Sequence, residues 1–460
     1  MDNQLNWSSH VKRALGMVAL LAVTTGGHAA EAATAVKLTL KDAIGMALEK
    51  NHLVKAAGFG AGAAREGIDV ATSRYYPSLF FEEALAASNS PTQTFMMKLD
   101  EGRFTNNDFA INNLNHPGVW NDFRTALTLQ QPLYNPSLAP AREMAVKSAE
   151  KEQLGADRVK EDIAFQVFRL YLDVERATAQ LKAAEQAVNE AREHLRLAKV
   201  RNSAGVGLRS DELLARTHLS FAEQQAITVS NNLTLARMQL AITIGLNNGD
   251  TVEVSNEPLP GISVSQLPDE LTKVAMESRS DLRQSRVEVE RSDATLKLAR
   301  SAYLPMVGGF ASYQLNAKDT PFGSDNNGWM AGLSLKWQIF DGFRRGHERG
   351  QASAARAAAA EVLEDKTKEV TFQVQESCMR REEMGKRLEV ARHAMQDAEE
   401  TVRLLSSRFE NSLATMVELL DAQAALNQTR ANLVETETYY ALATGRVYYT
   451  AGIFLKEMLK

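Results

Sequence analysis

One cysteine in 460 residues, Cys378, leaves no intramolecular disulfide framework and no cysteine-rich zinc site. The eight histidines are scattered, without HExxH or a similar pairing, so metal catalysis has no motif to stand on. Aromatic residues make up only 7% while alanine is abundant, a balance that favours long helices over a conventional α/β enzyme. Basic charge is not in excess either. The formal net charge of −5 gives nucleic acid no electrostatic footprint. "GFGAG" (58–62) has no strand before it and no Lys-Ser/Thr after it, and lies inside an apparent helix, so it reads as close helix packing rather than a phosphate loop. Met96 and Met97 are adjacent loop residues, better suited to apolar packing than to a soft-metal site. No cofactor is expected. Beyond the first thirty residues nothing reads as a transmembrane helix, so any crossing of a membrane must be made with strands.

What is present starts with a processing segment. His10, Lys12 and Arg13 form a positive region, "ALGMVALLAV" (14–23) is apolar, and "GHAAEAA" supplies small residues for cleavage after Ala29, Ala30 or Ala32. Ten apolar residues are too few for a helical membrane anchor, so residues 1–32 are read as a removed signal peptide. No cysteine lies near the cleavage point, and amino-terminal lipidation is not expected.

The rest of the chain is written twice. "RNSAGVGLRSDELLARTHL" (201–219) lies over "RFENSLATMVELLDAQAAL" (408–426), and "TIG" (243–245) over "TAG" (450–452), both at an offset of 207. "RYYPSL" (74–79) resembles "SAYLPMV" (301–307), and "ALTLQQPLYN" (126–135) resembles "GLSLKWQIFD" (332–341). The expected organisation is a first repeat over 38–255, a Pro/Gly-rich linker over 256–269 and a second repeat over 270–460. Each repeat reads helix, strand, loop, strand, very long helix, short break, helix. Helices are expected over about 39–74, 140–202 and 209–245, then 270–302, 344–407 and 416–450. Strands are expected over about 78–88, 123–134, 305–315 and 329–340.

Val167, Leu170, Val174, Ala177, Leu181, Ala184, Val188, Ala191, Leu195 and Ala198 alternate steps of three and four, a strict coiled-coil seam. The matching positions run from Val374 to Leu405, with Ser377 and Arg381 weakening the second seam. Helices this long cannot be covered by one small core and need neighbours along their length. In the strands, Trp329, Leu333 and Leu335 alternate with Met330, Ser334 and Lys336, and Leu127 and Leu129 with Ala126, Thr128 and Gln130. Each is roughly the length of a tilted membrane-spanning strand. A soluble amphipathic sheet would share this pattern; export and the missing transmembrane helix favour a barrel. Four strands cannot close one, so several chains must contribute, and the geometry does not choose between two and three.

The signal segment, the duplicated helix–strand–strand–helix plan and the "RFENSLATMVELLDAQAAL" signature together resemble the TolC family of outer-membrane efflux and secretion channels. The signature is an Arg, a Gly four later, an acid six later, a Leu two later, then Ala-Gln. The second copy has Arg408, Ser412, Glu418, Leu420, Ala422 and Gln423, with Ser for Gly and Glu for the usual Asp. The first has Arg201, Gly205, Asp211, Leu213 and Ala215. The resemblance implies a homotrimer. Twelve strands form one outer-membrane barrel, and a coiled-coil α-barrel continues its bore into the periplasm. The turns near 203–209 and 410–416, with Gly205, Val206, Ser412 and Leu413, would be the tip that meets a periplasmic adaptor and, through it, an inner-membrane transporter. Glu418 and Asp421 match acids that line the closed entrance. Asp211 matches an acid that latches neighbouring tips through an Arg and a Tyr, positions held here by Ala414 and Phe409. Taken by themselves, Glu418 and Asp421 share one helical face with no nucleophile or histidine converging on them, so a catalytic dyad is not supported. The competing reading is an exported coiled-coil adaptor or adhesin-like interaction protein. The long connection at 88–122 would be structural, or would recognise partners or partly close the outer mouth. The exported cargo is not legible.

Overall fold

The computed structural model describes residues 36–247, 252–255 and 267–459. The signal segment and most of the linker lie outside them. In chain order the first half contains β1 (Val36–Leu38), α1 (Leu40–Lys50), α2 (His52–Ser73), β2 (Ser78–Ser88), α3 (Pro91–Asp100), a 3-10 turn (Asn106–Phe109), α4 (Ile111–Asn115), β3 (Trp120–Tyr134), α5 (Leu138–Ser203), α6 (Arg209–Thr243) and β4 (Val252–Val254). The second half contains α7 (Pro268–Ser278), α8 (Ser280–Ser301), β5 (Met306–Ala317), β6 (Asn326–Lys336), α9 (Arg344–Glu410), α10 (Met416–Thr450) and α11 (Phe454–Met458).

The 66 residues of α5 extend roughly 100 Å at 1.5 Å per residue. Its seam buries Val167, Leu170, Val174, Ala177, Val188, Ala191, Leu195 and Ala198. In the second seam, Ser377 is buried, and its hydroxyl is satisfied by Thr450 Oγ1 at 2.8 Å. Toward the sheet, the helices are layered α2, α5, α8, α9; toward the far tips the order is α6, α5, α10, α9. Near mid-length, α1, α5, α6 and α11 meet in the main core around Ile44, Phe168, Tyr171 and Phe454. There β1 pairs in parallel with β4, and the Tyr171 hydroxyl donates to Ser255 O at 3.0 Å.

The expected helices at 39–74 and 270–302 are each broken in two, and the breaks share one cause. Asn51 caps α2 by accepting from the Leu53 N–H at 2.8 Å, while its Nδ2 donates to Thr243 O, at the end of α6, at 2.8 Å. Arg279, between α7 and α8, pairs with Asp281 at 2.6 Å, donates to Gln373 Oε1 at 2.7 Å and reaches Thr450 O, at the end of α10, at 3.3 Å. Helix ends leave carbonyls without partners, and each break supplies a side chain to one of them. Just beyond, Gly245 (φ 80°) and Gly452 (φ 71°) turn left-handed against Lys50 and Arg279. This is the physical content of the repeated "TIG" and "TAG".

The four long strands form one antiparallel sheet in the order β2-β3-β5-β6. Register places Leu79 opposite Leu129, Phe81 opposite Leu127, Leu127 opposite Tyr313 and Tyr313 opposite Trp329, so one face is a band of apolar and aromatic groups. The other face carries Arg124, Thr128, Gln130, Ser312, Gln314, Ser334 and Lys336, with Phe80, Phe310 and Met330 among them. β6 ends at Lys336 rather than near 340, where Trp337 Nε1 donates to Tyr303 O at 3.1 Å. β3 starts three residues earlier than the expected 123, and the connection before it is largely helical.

The joint predicts its own sensitivity. A Cβ on Gly245 would lie 2.7 Å from Lys50 Cβ, and one on Gly452 would lie 2.9 Å from Arg279 Cγ. Gly245→Ala or Gly452→Ala should each cost about 2 kcal/mol or more, from left-handed strain plus displacement of the break. Heating with detection of helical circular dichroism should show earlier melting for either variant. Gly45→Ala, in open space on α1, should not lower the transition.

Candidate functional site: the paired helix tips

At the end distant from the sheet, α5 turns into α6 and α9 into α10. The two turns close alike. The Val206 N–H bonds to Arg201 O at 3.1 Å, and the Leu413 N–H to Arg408 O at 2.8 Å. Gly205 (φ 74°) and Ser412 (φ 61°) supply the left-handed residue between. This is a Schellman closure, which accounts for an Arg-to-Gly spacing of four and for the apolar residue that follows. Ser412 meets the same backbone demand with a Cβ, at a cost of about 1 kcal/mol. Val206 and Leu413 are each 68% exposed, a matched pair of apolar side chains on the turns.

Glu418 is the third residue of α10. Its carboxylate accepts from the Thr415 N–H at 2.7 Å and from the Thr415 hydroxyl at 2.9 Å, while the Glu418 N–H returns to Thr415 Oγ1 at 3.3 Å. This capping box satisfies two helix-end donors. The Thr415 N–H, then its hydroxyl, hold the Glu418 carboxyl below its ordinary range, with Arg408 adding to the effect. Asp421 follows one turn later, exposed. In the first tip, Asp211 is half-buried at the start of α6. The acid most engaged there is its neighbour Glu212, which is buried and accepts from Asn202 Nδ2 at 3.0 Å and Arg216 Nη2 at 3.1 Å, and pairs with Arg209. Asn202 and Arg209 hold its carboxyl below the usual range.

The two tips of one chain are joined by Arg201. Its guanidinium donates to Phe409 O at 3.3 Å, Glu410 O at 3.4 Å and Ser412 Oγ at 2.9 Å, and lies 4.9 Å from the centre of the Phe409 ring. Phe409 is buried in an apolar cluster with Leu195, Ala198, Ala215, Met416, Leu419 and Leu420, against which Ala414 packs. Ala414 and Phe409, at the positions where the resemblance implies an Arg and a Tyr, thus belong to an apolar seam, with Arg201 supplying the polar tie. Gln423, the last residue of the signature, is buried and donates to Glu190 of α5 at 2.5 Å, where Arg430 of α10 also approaches at 3.6 Å. Glu212 is spaced three residues from Arg209 and four from Arg216, a helical ion-pair signal legible in the sequence, whereas its bond to Asn202 and the reach of Arg201 to the other tip are decided by the fold.

A sheet apolar on one face and polar on the other, set on a shaft of helices roughly 100 Å long, is the architecture of a channel-forming subunit. The chain belongs to the outer membrane efflux protein family, whose sequence profile matches residues 43–246 and 271–452. It is similar to Nodulation protein T of Rhizobium leguminosarum bv. trifolii, 22% identical over 315 residues, which span 65% of each chain. It is also similar to the Proteases secretion protein PrtF of Dickeya chrysanthemi, 20% identical over 431 residues covering 91% of this chain and 89% of that one. Among solved structures, the outer membrane protein VceC of Vibrio cholerae superposes with a TM-score of 0.75 at 16% identity, over 90% of this chain and 96% of that one.

Arg201→Lys should loosen the tie while keeping the charge, because a single ammonium cannot serve the Ser412 hydroxyl, two carbonyls and the Phe409 face at once. Amide hydrogen exchange across 409–414 should speed up about tenfold, the loss of one or two net hydrogen bonds. Exchange in the middle of α5 should be unchanged.

Proposed function

We propose that the protein is the outer-membrane channel of a tripartite efflux pump or type I secretion system: a passive homotrimeric conduit from periplasm to exterior. It binds no cofactor and hydrolyses nothing. Energy comes from an inner-membrane transporter, relayed through a periplasmic adaptor. The observation that carries this is the sheet: four strands, apolar on one face, with β2 and β6 as its edges. Such edges are not tolerated in lipid. Joining β6 of one chain to β2 of the next closes a barrel, and three chains supply twelve strands. The helices support the same closure. α9 is one edge of the layer and presents Phe372, Met379 and Val390, 64%, 71% and 69% exposed, on one helical face. α2 and α6 are the opposite edge, with Phe59 and with Leu235, Met238 and Ile242 exposed.

At the tips, Gly205, Val206, Ser412 and Leu413 would meet the adaptor, with Val206 and Leu413 as apolar contacts. Three copies of Glu418 and Asp421 would form two acidic rings at the closed entrance, with Asp211 near the tip junction. Like-charge repulsion would bias the rings toward opening, and bound cations would screen it. Glu418 then has two jobs, capping α10 and contributing charge. Cargo selection lies with the pump.

A cysteine at Glu82 of β2, paired in turn with cysteines along β6 in a Cys378→Ser background, should give disulfide-linked trimers in outer-membrane fractions; crosslinks within single chains, or dimers only, would refute the closure. For the gate, Glu418→Gln retains the capping acceptor and removes the charge. Combined with Asp421→Asn, it should weaken divalent-cation block of single-channel current. Unchanged block would remove the rings from the mechanism and leave the channel standing.

A further inference from the structure

The connection between β2 and β3 folds back on itself. α3, the 3-10 turn and α4 gather around Phe95, Phe104 and Phe109, with ring centroids 4.5 Å apart for the first pair and 5.0 Å for the last. Lys98 pairs with Asp108 at 2.6 Å, and Asp108 accepts from the Thr105 N–H at 2.8 Å. The unit lies over the polar face of the sheet. Register puts Trp120, Asp122, Asn316 and Asn326 on that face. Trp120 Nε1 donates to Glu101 Oε2 at 2.8 Å, and a Cβ on Gly102 would stand 3.6 Å from Asn326. The β5–β6 turn closes over it, with Arg103 reaching Asp325 at 2.9 Å and Asp319 at 3.2 Å, and Lys318 3.8 Å from the centre of the Trp120 ring.

At the centre of this contact is an unfinished carboxylate. Glu101 is 1% exposed, and among the described residues its Oε1 meets no donor. The groups facing it come from three sides: Trp120 and Asp122 from β3, Asp325 from the β5–β6 turn, and Arg103 from its own segment. Asp100 beside it faces Asp122 and Arg124. Lys98 and Lys318 stand over the Trp120 ring and not on the carboxylate. A buried carboxylate with one bonded oxygen and acidic neighbours is far less costly to bury once a proton removes its charge.

We infer that residues 88–122 form an inward-folded lid at the outer mouth, latched by a proton on Glu101, so that acid outside the cell closes the lid and neutral or alkaline medium loosens it. Burial, reinforced by Asp122 and Asp325 and opposed by Trp120 and Arg103, pushes the Glu101 carboxyl above its ordinary range; burial and Asp122 do the same to Asp100. A raised value in the closed state means that closure takes up a proton. Closure is therefore favoured at low pH and lost as pH rises through the closed-state value. Lys98 holds Asp108 down to about 2, so the lid's own ion pair persists in acid.

The inference rests on the channel reading only for calling the polar face the bore. Hydrogen exchange on the full-length protein in detergent, corrected for the intrinsic pH dependence, should show peptides across 91–116 exchanging several-fold more slowly near pH 4.5 than near pH 8. Peptides from α5 serve as the internal control. Glu101→Gln keeps an acceptor for Trp120 and removes the ionisation, so the lid should be slow at both pH values. Trp120→Phe withdraws the donor that favours the charged form, and should move the transition to higher pH. A wild-type lid without pH response overturns the proposal, as does a Glu101→Gln lid that keeps the wild-type response. A Glu101→Gln lid fast at both pH values, together with an unmoved transition in Trp120→Phe, overturns it too. If the chain fails to form trimers while these exchange results hold, the channel reading falls and the latch remains.

Discussion

An unpaired strand edge is the constraint from which the rest of this structure follows. β2 and β6 each leave a row of backbone donors and acceptors without partners inside the chain, on a sheet whose apolar face cannot rest in water. A soluble protein blunts such edges with charge, bulges or a covering element. Here the helical layers repeat the problem: α2 and α6 stand at one margin and α9 at the other, each with large apolar groups outward. Sheet and shaft are open on the same two sides. One rotation of one chain onto the next would serve both, which is the basis of the closure proposed above.

Within the chain, order comes from helix ends. Asn51 and Arg279 do the same work in the two halves, binding the final carbonyl region of α6 and α10 with different chemistries. Arg279 does more, because its fork also holds Asp281 and Gln373. The left-handed Gly245 and Gly452 let the chain pass those breaks closely. The junction thereby sets where the four-helix layer near the sheet gives way to the coiled coils below.

The tips obey the same logic with other residues. Schellman closures end α5 and α9, and a capping box begins α10. An acid that looks like a functional charge can first be a helix cap, as Glu418 is. A signature preserved in two copies can serve unlike contacts: Arg201 crosses to the other tip, while Arg408 stays within its own turn and donates to Leu413 O at 3.3 Å.

Much of this was readable from periodicity alone. Steps of three and four announced the seam that is buried from Val167 to Ala177 and again from Val188 to Ala198, with Leu181 and Ala184 half-buried between, and alternation announced which residues share the apolar face of the sheet. Those signals are local, because a side chain's direction follows from its own backbone's repeat. The breaks at Asn51 and Arg279 were not readable, since each depends on a carbonyl about 170 to 190 residues distant. Nor was the pairing of β1 with β4, the bond of Glu212 to Asn202, the crossing of Arg201 to the other tip, or the inward fold of residues 88–122 around Glu101. The sequence by itself determined the repeating units and the faces they present. Only the tertiary structure decided which polar groups meet, because a buried hydrogen bond is specified by two partners and the chain names them one at a time.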